Sequence, residues 1–263
     1  MVYNPTTSPT TYATFLPPIR RSGTVMAAPL VAPCNVRAPM SAPVSADTIA
    51  AELTEAVHEH RILPGMKLSE DEVGDIFDVG RTVVRQALRS LAHGGLLTIE
   101  RNRGAFVSKP TIKEAREVFE ARALLEPRTA RAAAERTTAE AVAQLERHIA
   151  DEHAALDADE AGRALKLSGQ FHIEIARIAD QATVEAFIRQ LISRSSLVIA
   201  LYWRRRNALC ESHAHHALLD ALRRQDGDAA EELMKGHLLD LFSQLDLRDQ
   251  PAMAPSLRDA LAR

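Results

Sequence analysis

Residues 68–107 read LSEDEVGDIFDVGRTVVRQALRSLAHGGLLTIERNRGAFV. Ser69 and Glu72 have the spacing of a capping box, in which each side chain satisfies a backbone group at a helix start, and Val73, Ile76 and Phe77 follow as its apolar face. Asp78-Val79-Gly80 supplies a turn. Residues 81–92 then form a second helix with Val84, Ala87, Leu88 and Leu91 turned inward. Beyond Gly94-Gly95, the runs 96–100 and 105–108 flank Arg101-Asn102-Arg103-Gly104 and predict a hairpin. Two short helices around a tight turn, with a hairpin behind the second, make a helix-turn-helix carrying a wing.

Upstream, Ile49, Leu53 and Val57 recur every fourth residue and place a further helix between Ser45 and the breaker Leu63-Pro64-Gly65. Downstream, Lys109-Pro110 reads as a hinge, beyond which the chain is amphipathic helix with short breaks. The periodicity predicts helices near 112–135, 138–157, 160–180, 183–206, 212–225 and 228–246, with no strand needed. The expected fold is mainly α: a winged helix-turn-helix over 46–110 and an all-α antiparallel helical bundle over 111–246. Residues 1–45 hold eight of the thirteen prolines and no acidic residue, poor material for a packed core, so a disordered extension is expected. Met26 and Met40 lie inside it, so a start of translation set too far upstream is an equal explanation. Residues 247–263, with Pro251 and Pro255, read as a loose tail.

Composition narrows the function less than position does. Apolar residues make up 46 % and charged residues 25 %, a globular balance, while 4 % aromatics argues for helices over strands. Cys34 and Cys210 stand in no disulfide or metal spacing, and no run approaches the ~20 apolar residues of a membrane span, so a cytoplasmic protein is expected. A net charge of −3 says nothing of DNA, because phosphate binding depends on where the cations sit. Over residues 79–109, however, Arg81, Arg85, Arg89, Arg101, Arg103 and Lys109 face one acid, Glu100. Arg81, Arg85 and Arg89 fall four apart and form one cationic ridge beside the buried stripe. Any one of them is read as solvated surface; with the turn and the wing, the row reads as a DNA-contacting edge.

The quoted stretch resembles the DNA-binding domain of GntR-type regulators over about residues 46–110. The resemblance implies that Arg81, Thr82 and Arg85 touch DNA from the recognition helix, that Gly104 lets the wing tip approach closely, and that Arg89 and Arg103 assist. Gly80 stands where that family usually has Ser or Thr, removing a hydroxyl cap and a phosphate contact. Residues 112–246 resemble the FadR-like, or FCD, effector domain of the same family, which implies a ligand pocket inside a helical bundle. His172 in QFHIEIA, His215 in HAHHALLDAL and His237 in KGHLLD match positions where metal-binding members place histidine, implying a site for a divalent ion such as Zn or Ni. By spacing alone, three scattered histidines are ordinary core or surface residues. Ser168 replaces the Asp usual four residues before the first histidine, so either the affinity for metal falls or a ligand carboxylate fills that position. Arg122 matches an arginine that clamps an acidic effector; its other reading is a helical pair with Glu126. His213 and His216 lie on other faces than His215 and are expected outside the site.

These readings predict a regulator, not an enzyme: a homodimer on a palindromic double-stranded operator, answering to a small effector such as a carboxylate and independent of membranes. A histidine-metal hydrolase is the main alternative, but Glu174 points away from His172 and no HExxH or nucleophilic-serine motif is present. An effector-free DNA-binding protein, its histidines merely packed, is the other.

Overall fold

The computed structural model describes residues 44–203 and 211–248. The expected extension 1–45, apart from its last two residues, most of the tail 247–263 and the predicted helical residues 204–206 lie outside that range.

Helix α1 (Ala46–His58) starts at Ser45, whose hydroxyl accepts from the Thr48 amide, and buries Ile49, Leu53 and Val57. It ends before Leu63-Pro64-Gly65, because His60 at φ 55° already turns the chain out of the helix. Strand β1 (Lys67–Leu68) precedes α2 (Glu70–Phe77) and α3 (Arg81–His93), and β2 (Leu97–Glu100) and β3 (Gly104–Val107) form the hairpin. The sheet order is β1-β3-β2, antiparallel throughout, with Leu97 opposite Val107 and Glu100 opposite Gly104. Val84, Ala87, Leu88 and Leu91 of α3 are buried, as its spacing requires.

Two expectations for α2 fail. Ser69 sits at its N-cap without a side-chain hydrogen bond, so the capping box does not form. Ile76 is 69 % exposed. An eight-residue helix resting on α3 has little face to bury, and Val73 takes it. Asp78, in the left-handed region at φ 52°, ends α2 and aims the chain into α3.

The second part comprises α4 (Ile112–Arg136), α5 (Ala139–Asp157), α6 (Ala161–Ile178), α7 (Ala182–Tyr202), α8 (Glu211–Arg223) and α9 (Gly227–Ser243). Thr111 and Glu114 close a full capping box at the head of α4. Phe119, Leu145, Ile149, Phe171, Ile175, Leu218, Leu222, Met234 and Leu238 fill the bundle core. Each such side chain removed from water contributes roughly 1.5–3 kcal/mol. No strand is described in this part, only an isolated bridge between Trp203 and Leu245.

The two parts meet along α1, α6 and α7. Leu197 of α7, 1 % exposed, belongs to the apolar core of the winged part. Gly162 of α6 lies so close beneath α1 that a β-carbon there would overlap the Glu59 carbonyl oxygen. No described helix is long and apolar enough to cross a membrane.

Candidate functional site

The sequence marks two sites, one in the winged part and one in the helical bundle. Arg81, Thr82, Arg85 and Arg89 are all exposed on α3, as their position beside the apolar stripe dictates. Gly80 caps α3 with no side-chain hydrogen bond, so the first amides of the recognition helix have no hydroxyl partner there. The cationic surplus counted over 79–109 is smaller in three dimensions. The acidic first turn of α2 folds against the ridge, Arg81 pairing with Asp71 at 2.8 Å and Arg85 with Glu70 at 2.8 Å. Both pairs are well exposed, and such pairs hold their partners by about 0–1 kcal/mol. At the wing, Gly104 adopts φ 104°, a conformation that a side chain would strain. Arg103 is bonded to Glu100 and lies over the Phe106 ring, its guanidinium carbon 5.2 Å from the centroid. That makes it part of the hairpin's own structure.

The structure brings His172, His215 and His237 together from α6, α8 and α9. One nitrogen of each lies within 4.8 Å of the others, and all three are buried. The His172 and His237 Nε2 atoms are 3.2 Å apart. The opposite edges are held by carboxylates: His172 Nδ1 is 2.6 Å from Glu126, and His215 Nδ1 is 2.9 Å from Glu152. A carboxylate on Nδ1 fixes ring and tautomer and leaves Nε2 to face a ligand. Burial pushes both His172 and His237 down, favouring the neutral ring, the form that binds a cation. Burial alone would raise Glu126, but the neighbouring Arg122 charge and His172 outweigh it and keep it ionised. Glu152, lacking such a cation, is pushed up to about 7 by burial. Three imidazoles converging in a buried site, two of them with a carboxylate on the far edge, suit a zinc- or nickel-type ion. Sequence reasoning missed Glu152 and saw Glu126 only as a partner of Arg122, since both act across long sequence separations.

Arg122 forms the helical pair and also lines a cavity. Its guanidinium donates to Glu126 at 2.6 Å within α4 and to Ser195 Oγ at 3.2 Å on α7, and it is 2 % exposed. The same arginine lines a narrow cavity of about 30 Å³, together with Ser168, His172 and Ser195. Ser168 is buried in that wall, where the sequence lacks a carboxylate. His213 and His216 are exposed; His216 packs edge-on to His153, not into the triad. Glu174 bonds to Gln144 and Arg177, away from the histidines.

Comparison with known proteins bears on both parts. Residues 45–107 match the family described as "Bacterial regulatory proteins, gntR family", and residues 117–240 match the FCD domain. The chain is 31 % identical over 183 residues to the HTH-type transcriptional repressor RspR of Escherichia coli K12, spanning 68 % of this chain and 79 % of that protein. It is 29 % identical over 182 residues to the Nta operon transcriptional regulator of Aminobacter aminovorans, 69 % and 85 % of the two lengths. A crystal structure of a GntR transcriptional regulator from Rhodococcus sp. RHA1 shares the fold, with a TM-score of 0.67 at 22 % identity over 76 % of this chain and 96 % of that one. These relatives are regulators, which sets aside the hydrolase alternative. The chain belongs to the GntR family of DNA-binding transcription regulators, with an FCD domain as its helical half.

Proposed function

We propose that the protein is a homodimeric, cytoplasmic repressor that reads a palindromic operator with residues 46–110 and senses a small organic acid with residues 111–246. The observation that carries the reading is the exposed row Arg81, Arg85 and Arg89 on α3, next to a wing with Gly104 at its tip. In this reading Arg81, Thr82 and Arg85 meet base edges and phosphates, Gly104 lets the wing backbone approach the duplex, and Arg89 is a supporting phosphate contact. The pairs to Asp71 and Glu70 are readily exchanged for DNA because both ends are solvated. A dimer doubles this contact set and fixes the half-site spacing.

In the helical half, His172, His215 and His237 hold a divalent ion, with Glu126 and Glu152 orienting two of the rings. The ion would supply a fixed positive charge facing the cavity. Arg122 and Ser168 line the cavity, where an effector carboxylate occupies the position left by the missing Asp. Arg122 is held by Glu126 and Ser195, so its charge is already oriented when the acid arrives.

Two measurements test the halves separately. Arg85→Ala should weaken retardation of the protein's own upstream intergenic DNA by about 5- to 150-fold, the roughly 1–3 kcal/mol of one bidentate base contact, with the dimer intact in sedimentation. Unchanged affinity would remove Arg85 from the interface. Zinc at about a hundred times its Kd should stabilise the native state by about 2.7 kcal/mol, reversibly with chelator, and His237→Ala should abolish the effect. A wild-type melting temperature indifferent to zinc and chelator alike would leave the histidines as packing, and the protein as an effector-free DNA binder or one with a metal-free pocket.

A further inference from the structure

The cavity beside the histidines is not walled by the helical half alone. His58, from the last turn of α1, lines it together with Lys166, Ser168 and His172 of α6 and Ser195 and Ser196 of α7. His58 is held there by Ser193 Oγ at 3.1 Å, and its neighbour His60 bonds the Ser196 carbonyl oxygen at 3.0 Å. Lys166, 15 % exposed, lines the same cavity while its ammonium bonds Glu55 and Glu59, both on or just beyond α1. One lysine therefore ties the winged part to the bundle and also faces the ligand's space.

We propose that α1 of the DNA-binding part is itself a wall of the effector cavity, and that a small anion entering beside His58 draws Lys166 from Glu55 and Glu59 and so releases α1 from α6. The proposal rests on the reading of this cavity as the effector site. The residues present three cues for an anion: the Lys166 ammonium, the Arg122 guanidinium and the hydroxyls of Ser168, Ser195 and Ser196. In the exchange Lys166 gives up two carboxylates, the half-exposed Glu55 and the largely covered Glu59, and gains the anion in the cavity it shares with Arg122. Its consequence is directional. α1 packs on α3 through Ile49, Leu53, Val84 and Leu88, so loosening α1 from the bundle changes how the arginine row is presented. The signal then passes by direct contact, without a relay through the bundle core, and the two states differ in a contact that the ligand itself makes.

A tethered anion tests this without knowing the natural ligand. In a chain carrying Cys34→Ser and Cys210→Ser, His58→Cys and, from the α6 lining, Leu165→Cys are each modified with 2-sulfonatoethyl methanethiosulfonate. Arg163→Cys, exposed on α6 and absent from the cavity lining, is the control. Each variant is compared with its own unmodified form and again after thiol reduction. The expected result is at least a tenfold loss of operator affinity for both cavity adducts, restored by reduction, with less than twofold change for the control. Amide exchange across 46–58 should speed up at least tenfold in parallel, a readout that needs no DNA. Adducts of the His58→Cys and Leu165→Cys variants that leave α1 exchange and operator affinity unchanged overturn the proposal. So does a thiol in the His58→Cys variant that the reagent cannot reach while the thiol of the Arg163→Cys control reacts. A protein that loosens α1 on modification yet never binds its operator keeps this contact and loses the regulatory reading beneath it. Zinc content, measured on the same samples, judges the metal reading separately.

Discussion

The molecule uses the arginine–carboxylate pair in two opposite ways. On the recognition helix Arg85 meets Glu70 with both side chains in water, at 55 % and 37 % exposure. In the bundle Arg122 meets Glu126 with both at 2 %. The chemistry is identical and the solvent is not. In water the attraction is screened and the partner is replaceable, as the proposed exchange of Glu70 for a nucleic acid requires. In a dry interior neither charge can leave alone, because the one left behind has no water to answer it. The surface pair is exchangeable and the buried pair is a fixture, and the fixture extends to His172 through the second oxygen of Glu126.

The contrast is broken most severely at the buried end. Glu126→Ala should destabilise the native state by about 3–5 kcal/mol, since it strands the Arg122 charge and unties His172. Denaturant unfolding measures this, and a loss under about 1 kcal/mol would mean that water reaches the pair. The junction between the two environments comes next. Burial lowers His58 from 6.5 to about 4, so the unfolded chain takes up a proton before the folded one does. Its contribution is therefore fully present above pH 6.5 and is lost as pH falls toward 4, by about 1–2 kcal/mol once partial exposure is allowed for. His60, also lowered by burial, adds in the same direction. Unfolding curves from about pH 7 down to about pH 4.5 should be flatter for His58→Gln than for the wild type; parallel curves would place the pH dependence elsewhere. The smallest effect belongs to the surface pair. Glu70→Gln should raise affinity for DNA, specific or not, by up to about fivefold, within the ~1 kcal/mol of an exposed pair. Salt titration of a fluorescent duplex reads it, and a decrease would make Glu70 a positioning residue for Arg85 instead of its competitor.

What is legible in the sequence follows from the range of each cause. Periodicity predicts the bundle helices to within a few residues, because a stripe every third or fourth position is local and each helix buries one face. Thus α4, expected over 112–135, spans Ile112–Arg136. The recognition helix and hairpin are legible for the same reason. Strand β1 is not, since two residues opposite Ala105 and Phe106 carry no alternation to detect. Ile76 misleads because periodicity reports that a face is apolar, and not whether a neighbour covers it. Resemblance picks out the three histidines, while their carboxylate partners stay hidden: Glu126 lies 46 residues from His172, and Glu152 lies 63 from His215. The acids on α2 escape for a simpler reason. A charge count over 79–109 begins after them, while the turn at Asp78 folds them back onto the arginines.

Leu197 carries a consequence for anyone dividing this chain. It is rooted in the effector half, yet its side chain plugs a socket in the reading head. Cutting after Pro110 would leave that socket open to solvent, forfeiting on the order of 1.5–3 kcal/mol of burial and baring a greasy spot that invites self-association. The reading head is, in that sense, an incomplete fold on its own: one of the bricks in its foundation is supplied by the half that instructs it.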